Sequence, residues 1–115
     1  MKKLMTLIAC VAAAAAWSAC AQDRSADPAR GKAAYLKYQC DSCHGTAGQG
    51  TRFGVRLAPN PLPWEAFSHE VRHPREAMPR YPAQHLSDAE IADMIAYLGA
   101  IKPGMKASDI PLLKE

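Results

Sequence analysis

The sequence predicts an all-α domain, and two stretches near its ends support that prediction. Residues 87–98 open with Ser-Asp-Ala-Glu, a capping box, and continue with apolar residues at helical spacing: Ile91, Met94, Ile95 and Leu98. Near the other end, Asp27 is suited to the N-cap of a helix and Pro28 to its first position. A chain of 115 residues holds at most one domain. We therefore expect a single all-α unit whose helices are joined by loops.

The first helix is expected to run from Pro28 to about Tyr38, with a modest apolar stripe that includes Ala34 and Tyr35. Gly31 lies inside this helix, where a glycine costs about 1 kcal/mol relative to alanine. A glycine at such a position makes sense if another backbone or an aromatic ring must approach closely.

Residues 1–21 are predicted to be a secretory signal peptide. Two lysines follow Met1, an apolar run covers residues 4–17, and Ala-Cys-Ala at 19–21 offers small residues for cleavage. An alternative is lipoprotein processing at Cys20, which would anchor the chain to a membrane. Either route exports the chain, which in a bacterium places it in the periplasm.

The exported chain divides into three predicted parts. Residues 22–26 form a polar tether, residues 27–103 the folded domain and residues 104–115 a tail without a firm structural signal. The full chain has 14 basic and 11 acidic residues, a formal net charge of +3. Nothing in this balance indicates a nucleic-acid partner.

The central motif is Cys40-Asp41-Ser42-Cys43-His44, the attachment signature of c-type haem. On a tight turn the two sulfurs can each add to one haem vinyl group, and His44 is then delivered beneath the porphyrin with a ring nitrogen aimed at iron. The alternatives for two cysteines in an oxidising compartment are a disulfide or a thioredoxin-like pair. Both are disfavoured, because His44 follows directly and no βαβ pattern surrounds the pair.

A loop follows the motif. Residues 45–54 are rich in glycine, and residues 58–63 contain Pro59, Pro61 and Pro63, which make the backbone extended and stiff. One of the carbonyls in this proline segment could accept the second ring N–H of His44 and so orient the ligand.

A short helix is expected over residues 63–72, with one apolar face formed by Trp64, Phe67 and Val71. It contains His69-Glu70-Val71-Arg72-His73, which matches the zinc-protease pattern H-E-x-x-H. Both histidines lie roughly opposite the apolar face and so face solvent, and a catalytic zinc site needs a third ligand in a buried setting. We therefore do not expect a protease, and adventitious metal binding at the surface is the better alternative.

Met78, followed by Pro79, lies on a proline-stiffened loop and is the candidate for the second axial ligand of iron. A thioether is a soft, neutral ligand suited to haem iron. Among the alternatives, Met94 lies in the apolar stripe of the last helix and is expected in the core, and Met105 lies in the polar tail. His85, close to the same loop, is the most credible non-methionine candidate.

The chain resembles the class I c-type cytochromes over essentially all of its exported length. Four segments carry the resemblance, in this order: Asp27–Tyr35, Cys40–Gly45, Met78–Pro79 and Leu86–Leu98. The resemblance implies a cytochrome c fold in which three to four helices wrap around one covalently attached haem. It also implies that the first and last helices cross, with Gly31 and Tyr35 against the turn that holds Met94 and Tyr97.

The resemblance further implies a ligand set. Cys40 and Cys43 would hold the haem covalently, His44 and Met78 would be the axial ligands of iron, and the Pro59 carbonyl would hold His44. The interval between the two axial ligands is typical of small bacterial monohaem cytochromes.

The function implied is that of a periplasmic one-electron carrier with haem c rather than an enzyme. Its partners would be a periplasmic dehydrogenase or a terminal oxidase or reductase, and it would meet a membrane only if Cys20 is lipidated. Two alternatives stay open: a haem-binding subunit of a dehydrogenase complex, and an open-site haem enzyme or gas sensor if Met78 is not an iron ligand.

Overall fold

The computed structural model describes residues 25–113, and within them it contains four α-helices and no strand. The helices are α1 (Pro28–Lys37), α2 (Asp41–His44), α3 (Trp64–Arg72) and α4 (Asp88–Ala100), and the 3-10 helices Ala107–Asp109 and Pro111–Leu113 follow. The predicted all-α class with three to four helices is confirmed. The predicted signal peptide, Cys20 and most of the tether lie outside the described residues.

Helices α1 and α4 begin where the sequence predicts. The Asp27 carboxylate accepts a hydrogen bond from the Arg30 backbone N–H at 2.8 Å, with Pro28 at the first helical position. At α4, the Ser87 hydroxyl accepts from the Glu90 N–H at 3.2 Å, and Glu90 accepts from the Ser87 N–H at 2.9 Å. At the start of each of these two helices, the side chain of the capping residue therefore satisfies one N–H group that has no partner within the helix.

The first and last helices cross at Gly31, as the resemblance implied. A Cβ atom added to Gly31 would lie 1.9 Å from the Asp93 carbonyl oxygen and 2.8 Å from Tyr97 Cβ. The rings of Tyr35 and Tyr97 lie beside this contact, with their centroids 5.6 Å apart. Only a residue without a side chain allows the two backbones to meet this closely.

Asp93 is a buried carboxylate at this crossing, only 2% exposed. It accepts hydrogen bonds from the Asp27 N–H at 2.7 Å and from Arg30 Nε and Nη2 at 2.8 and 3.0 Å. Burying a charge is costly unless it is paired and hydrogen-bonded, and Asp93 is both. Sequence reasoning did not find this residue, because its partners lie more than 60 positions away.

Helix α3 buries two of the three residues predicted for its apolar face. Phe67 and Val71 are buried, whereas Trp64 is 37% exposed, so the predicted apolar face is buried only in part. Trp64 is the first residue of the helix.

The core of the described residues draws on all three longer helices and on two loop positions. Its buried apolar members are Ala34, Tyr35, Ala58, Phe67, Val71, Leu86, Ile91, Met94 and Leu98. Within residues 25–113, no helix has the length and apolar character needed to cross a membrane.

Candidate haem-binding site

The Cys-x-x-Cys-His motif forms the short helix α2, which begins directly after Cys40. The Cys40 N–H donates to the Tyr35 carbonyl at 3.0 Å, so the motif continues from the end of α1. Cys40 has helical backbone angles directly before α2, and residues three apart on a helix lie on the same side, so both cysteines lie on one side of this turn. Both cysteines are free and half-buried.

Burial changes the chemistry of Cys40. Desolvation raises the pKa of its thiol to about 11, far above the usual value for cysteine. A redox-active or disulfide-exchanging cysteine instead needs a lowered pKa, because the thiolate is the nucleophile. The setting of Cys40 therefore disfavours the thioredoxin-like alternative.

The ring of His44 is oriented by a backbone carbonyl. His44 Nδ1 lies 2.7 Å from the Val55 carbonyl oxygen. As the donor in this bond, Nδ1 carries the proton and leaves Nε2 free to bind iron, the arrangement common to metal-ligating histidines. The resemblance implied that Pro59 holds His44, and the structure corrects this assignment to Val55.

No local signal marks Val55, because every residue offers a carbonyl. The preceding residue, Gly54, does give a signal in the sequence, because a glycine in a loop often marks a place where another group approaches the backbone closely. A Cβ atom on Gly54 would lie 2.9 Å from His44 Nδ1 and 2.8 Å from the Cys43 carbonyl oxygen. Gly54 therefore lets the loop press against the histidine.

The same loop is fastened to α2 by hydrogen bonds. The Gly50 N–H donates to the His44 carbonyl at 2.8 Å, and the Thr51 hydroxyl donates to the Cys43 carbonyl at 2.5 Å. The Thr51 N–H also donates to the Gly54 carbonyl at 2.9 Å, which closes the loop on itself. These bonds satisfy the last carbonyls of α2 and hold the loop over the His44 ring.

Two tyrosines hold the residues that follow His44 from the other side. The Tyr35 hydroxyl donates to the Gly45 carbonyl at 2.7 Å, and the Tyr97 hydroxyl donates to the Thr46 carbonyl at 3.1 Å. Burial raises the pKa of Tyr35, so its hydroxyl stays protonated and able to donate. The α1–α4 crossing thus positions the end of the motif.

Met78 lies on the loop between α3 and α4, half-buried and packed against the core. Met94 is 1% exposed and belongs to the core, as expected, whereas Met105 is 70% exposed. His85 is exposed, and its carbonyl accepts a hydrogen bond from the Tyr38 hydroxyl at 2.6 Å. Of the three methionines among residues 25–113, only Met78 combines a loop position with partial burial.

The H-E-x-x-H segment has a different setting. His69 and His73 are exposed, as expected, with their ring centroids 5.3 Å apart. The Glu70 carboxylate accepts a hydrogen bond from Arg75 Nε at 2.9 Å. In the described part of the chain, no three or more His, Cys, Asp or Glu side chains form a group that could hold a metal ion.

The residues present suit a c-type haem by the chemistry of their donor atoms. Two neighbouring thiols on one helical turn can form two thioether bonds, and His44 is oriented with one ring nitrogen free. The half-buried thioether of Met78, on a separate loop, is a sulfur atom of the kind that could bind iron together with an imidazole.

Comparison with known proteins places the chain in a family. The family model described as "Cytochrome C oxidase, cbb3-type, subunit III" matches residues 26–98, which include the Cys-x-x-Cys-His motif and Met78. No curated protein and no solved structure matches the chain.

Proposed function

Because the chain belongs to the cytochrome c oxidase, cbb3-type, subunit III family of class I c-type cytochromes, we propose that it is a one-electron carrier with one six-coordinate haem c. Haem-based electron transfer is the function associated with this family. The family resemblance implies thioether bonds from Cys40 and Cys43 and iron coordination by His44 and Met78.

The observation that carries the proposal is the fixed setting of His44. Its Nδ1 bonds to the Val55 carbonyl at 2.7 Å, and the loop that carries Val55 is bonded to the backbone of Cys43 and His44. When bound, haem supplies an iron that alternates between Fe(II) and Fe(III). A ligand held this firmly keeps its orientation in both oxidation states, as an electron carrier requires.

Coordination by His44 and Met78 would leave no open position on iron. Substrates could then not bind at the metal, and a His/Met ligand pair also raises the reduction potential. This separates the carrier from an open-site haem enzyme or gas sensor, which needs a free position on iron.

The ligand set can be tested with visible and near-infrared spectra of the purified holoprotein. The ferric wild type should show the weak near-infrared charge-transfer band of methionine ligation, and Met78→Ala should abolish it. Met105→Ala is the matched control and should retain the band, because Met105 is 70% exposed in the tail. Ready binding of carbon monoxide by the ferrous wild type would contradict the proposal.

We also propose that the protein acts in the periplasm after removal of residues 1–21. Intact mass measurement of the protein from its native source distinguishes the two processing routes. A mature chain beginning at Gln22 indicates signal-peptide cleavage, whereas added lipid mass on a chain beginning at Cys20 indicates a membrane anchor.

The partners we propose are a periplasmic dehydrogenase as donor and a terminal oxidase or reductase as acceptor. The family description names a subunit of an oxidase, so an oxidase is the first acceptor to test. Electron-transfer complexes have small and weak interfaces. To identify the partners, the protein should therefore be cross-linked in the native periplasm before it is captured by affinity purification. Recovery only as a permanent complex with a dehydrogenase would favour the subunit alternative.

A further inference from the structure

The loop that carries Met78 is fastened to the end of α3 through the backbone of Tyr81. The Tyr81 N–H donates to the Val71 carbonyl at 3.1 Å, and the Tyr81 carbonyl accepts from Arg72 Nη1 at 2.7 Å. Val71 and Arg72 are the last two residues of α3, where helix carbonyls lack partners inside the helix. Both backbone polar groups of Tyr81 are thus bound by one helix end.

Arg72 also reaches the start of the next helix. Its Nη2 donates to Asp88 Oδ1 at 2.7 Å, and Asp88 is the first residue of α4. The side chain of Arg72 is 15% exposed, whereas that of Asp88 is 71% exposed. The planar guanidinium therefore bridges the Met78 loop and α4 with two separate nitrogens, which a lysine ammonium cannot reproduce in the same geometry.

The side chain of Tyr81 continues this connection to the haem-attachment motif. Its hydroxyl donates to the Tyr38 carbonyl at 2.9 Å, and the two rings pack edge to face with centroids 6.0 Å apart. Tyr38 precedes Cys40 by two residues. Tyr81 in turn follows Met78 by three residues, with the conformationally restricted Pro79 between them.

We propose that Arg72 is a positioning residue for the axial methionine. By holding the Tyr81 carbonyl and the Asp88 carboxylate together, it fixes the loop so that Met78 stays within reach of the haem iron. The proposal rests on the proposed function, since it requires Met78 to bind iron. It also gives a role to the arginine that lies inside the H-E-x-x-H segment.

The test compares two Arg→Met variants of the holoprotein. Arg72→Met keeps the aliphatic bulk but removes both hydrogen bonds, so Met78 should leave iron more often. We expect covalently attached haem, a weakened near-infrared band and a carbon monoxide affinity of the ferrous form raised about tenfold, equivalent to about 1.4 kcal/mol.

Arg30→Met is the matched control. It breaks the bonds to buried Asp93 at the α1–α4 crossing and so lowers the thermal unfolding temperature without touching the Met78 loop. It should leave the near-infrared band intact and carbon monoxide affinity within about twofold of wild type. If both variants change these two properties equally, Arg72 acts only through overall stability and the proposal is overturned.

Arg72→Lys covers the case in which Arg72→Met yields no holoprotein. Lysine keeps the charge but can replace only one of the two bonds, so the gain in carbon monoxide affinity should be smaller than tenfold and above that of Arg30→Met. A wild-type band and affinity in Arg72→Lys would overturn the proposed requirement for both bonds. A wild type that itself lacks the band and binds carbon monoxide readily would overturn the proposed function as well, before any variant is compared.

Discussion

The loop that orients His44 contributes no iron ligand of its own. Its contacts are a carbonyl from Val55, a hydroxyl from Thr51 and the close approach of Gly54. Partners of this kind set the orientation of a metal-bound histidine, and their loss weakens metal binding or activity. The properties of the iron centre therefore depend on a backbone path that carries few distinctive side chains.

Gly54→Ala tests this dependence. A methyl group there would lie 2.8 Å from the Cys43 carbonyl oxygen and 2.9 Å from His44 Nδ1, so the loop must move away. We expect the free energy of unfolding of the holoprotein to fall by about 1–3 kcal/mol, as for overpacked sites. Thermal or denaturant unfolding measures the change.

Gly104→Ala is the control for Gly54→Ala, because an added Cβ would meet nothing within 4 Å. Its effect should stay within about 0.5 kcal/mol. Equal effects at the two positions would show that the loop does not press against the histidine.

Glu90 is a second residue whose environment determines its properties. Burial raises the pKa of its carboxyl, but hydrogen bonds from the Ser87 backbone and hydroxyl, from Lys37 and from Tyr38 outweigh it and lower the pKa to about 2. These bonds tie the start of α4 to the end of α1, since Lys37 Nζ lies 3.0 Å from Glu90 Oε1.

The lowered pKa predicts a pH dependence of stability with a definite sign. Above about pH 4.5 the Glu90 carboxylate is ionised in both the folded and the unfolded states, and its contribution to the free energy of unfolding is fully present. As the pH falls toward about 2, the unfolded chain binds a proton that the folded chain does not, so stability is lost. The difference in unfolding temperature between wild type and Glu90→Gln should therefore shrink over this interval. Glu65→Gln, at an exposed position, is the control and should show no such convergence.

At the scale of elements, the α1–α4 crossing depends on one glycine. Gly31→Ala would place a methyl group 1.9 Å from the Asp93 carbonyl oxygen, a backbone atom that cannot move without separating the helices. We expect a loss of about 3 kcal/mol or more in the free energy of unfolding, measured by denaturant titration.

The same substitution in α4 should have the opposite sign. Gly99 lies in the last turn of α4, and an added Cβ would meet only Pro61 at 3.9 Å, an ordinary contact. Because alanine is favoured over glycine in helices, Gly99→Ala should stabilise the protein by up to about 1 kcal/mol. If Gly31→Ala and Gly99→Ala both destabilised the protein, the loss of stability in Gly31→Ala could not be attributed to the helix packing at Gly31.

The helix ends were predictable from sequence because their signals are local. The capping box at Ser87 and Glu90 and the cap at Asp27 act over three residues, and the structure shows each of their hydrogen bonds. The exposure of Trp64 was not predictable in this way, because helical spacing gives the direction of a side chain but not how much of it the rest of the fold covers. No local sequence signal indicates that Asp93 is buried and paired, because its hydrogen-bond partners lie at the far end of the domain.

At the scale of the whole molecule, the sequence indicates the candidate chemical groups of the site but not the contacts that support them. The Cys-x-x-Cys-His spacing is a local pattern, so Cys40, Cys43 and His44 can be named as candidates for haem attachment and iron ligation from the sequence. The choice of Val55 rather than Pro59 depends on the folded path of a loop, which is set by contacts with α2. The hold of Arg72 on Tyr81 likewise arises from the way two loops and two helices meet.

The bond between the Asp27 N–H and the Asp93 carboxylate joins residues 66 positions apart, close to the two ends of the domain. It imposes an order in time. The crossing cannot form until nearly the entire domain has been synthesised, and the Cys-x-x-Cys-His motif is synthesised before α4. Because Cys40 becomes half-buried in the folded chain, we expect haem to be attached while the chain is still open. Closure of α4 onto α1 would then complete the domain around a cofactor that it already carries.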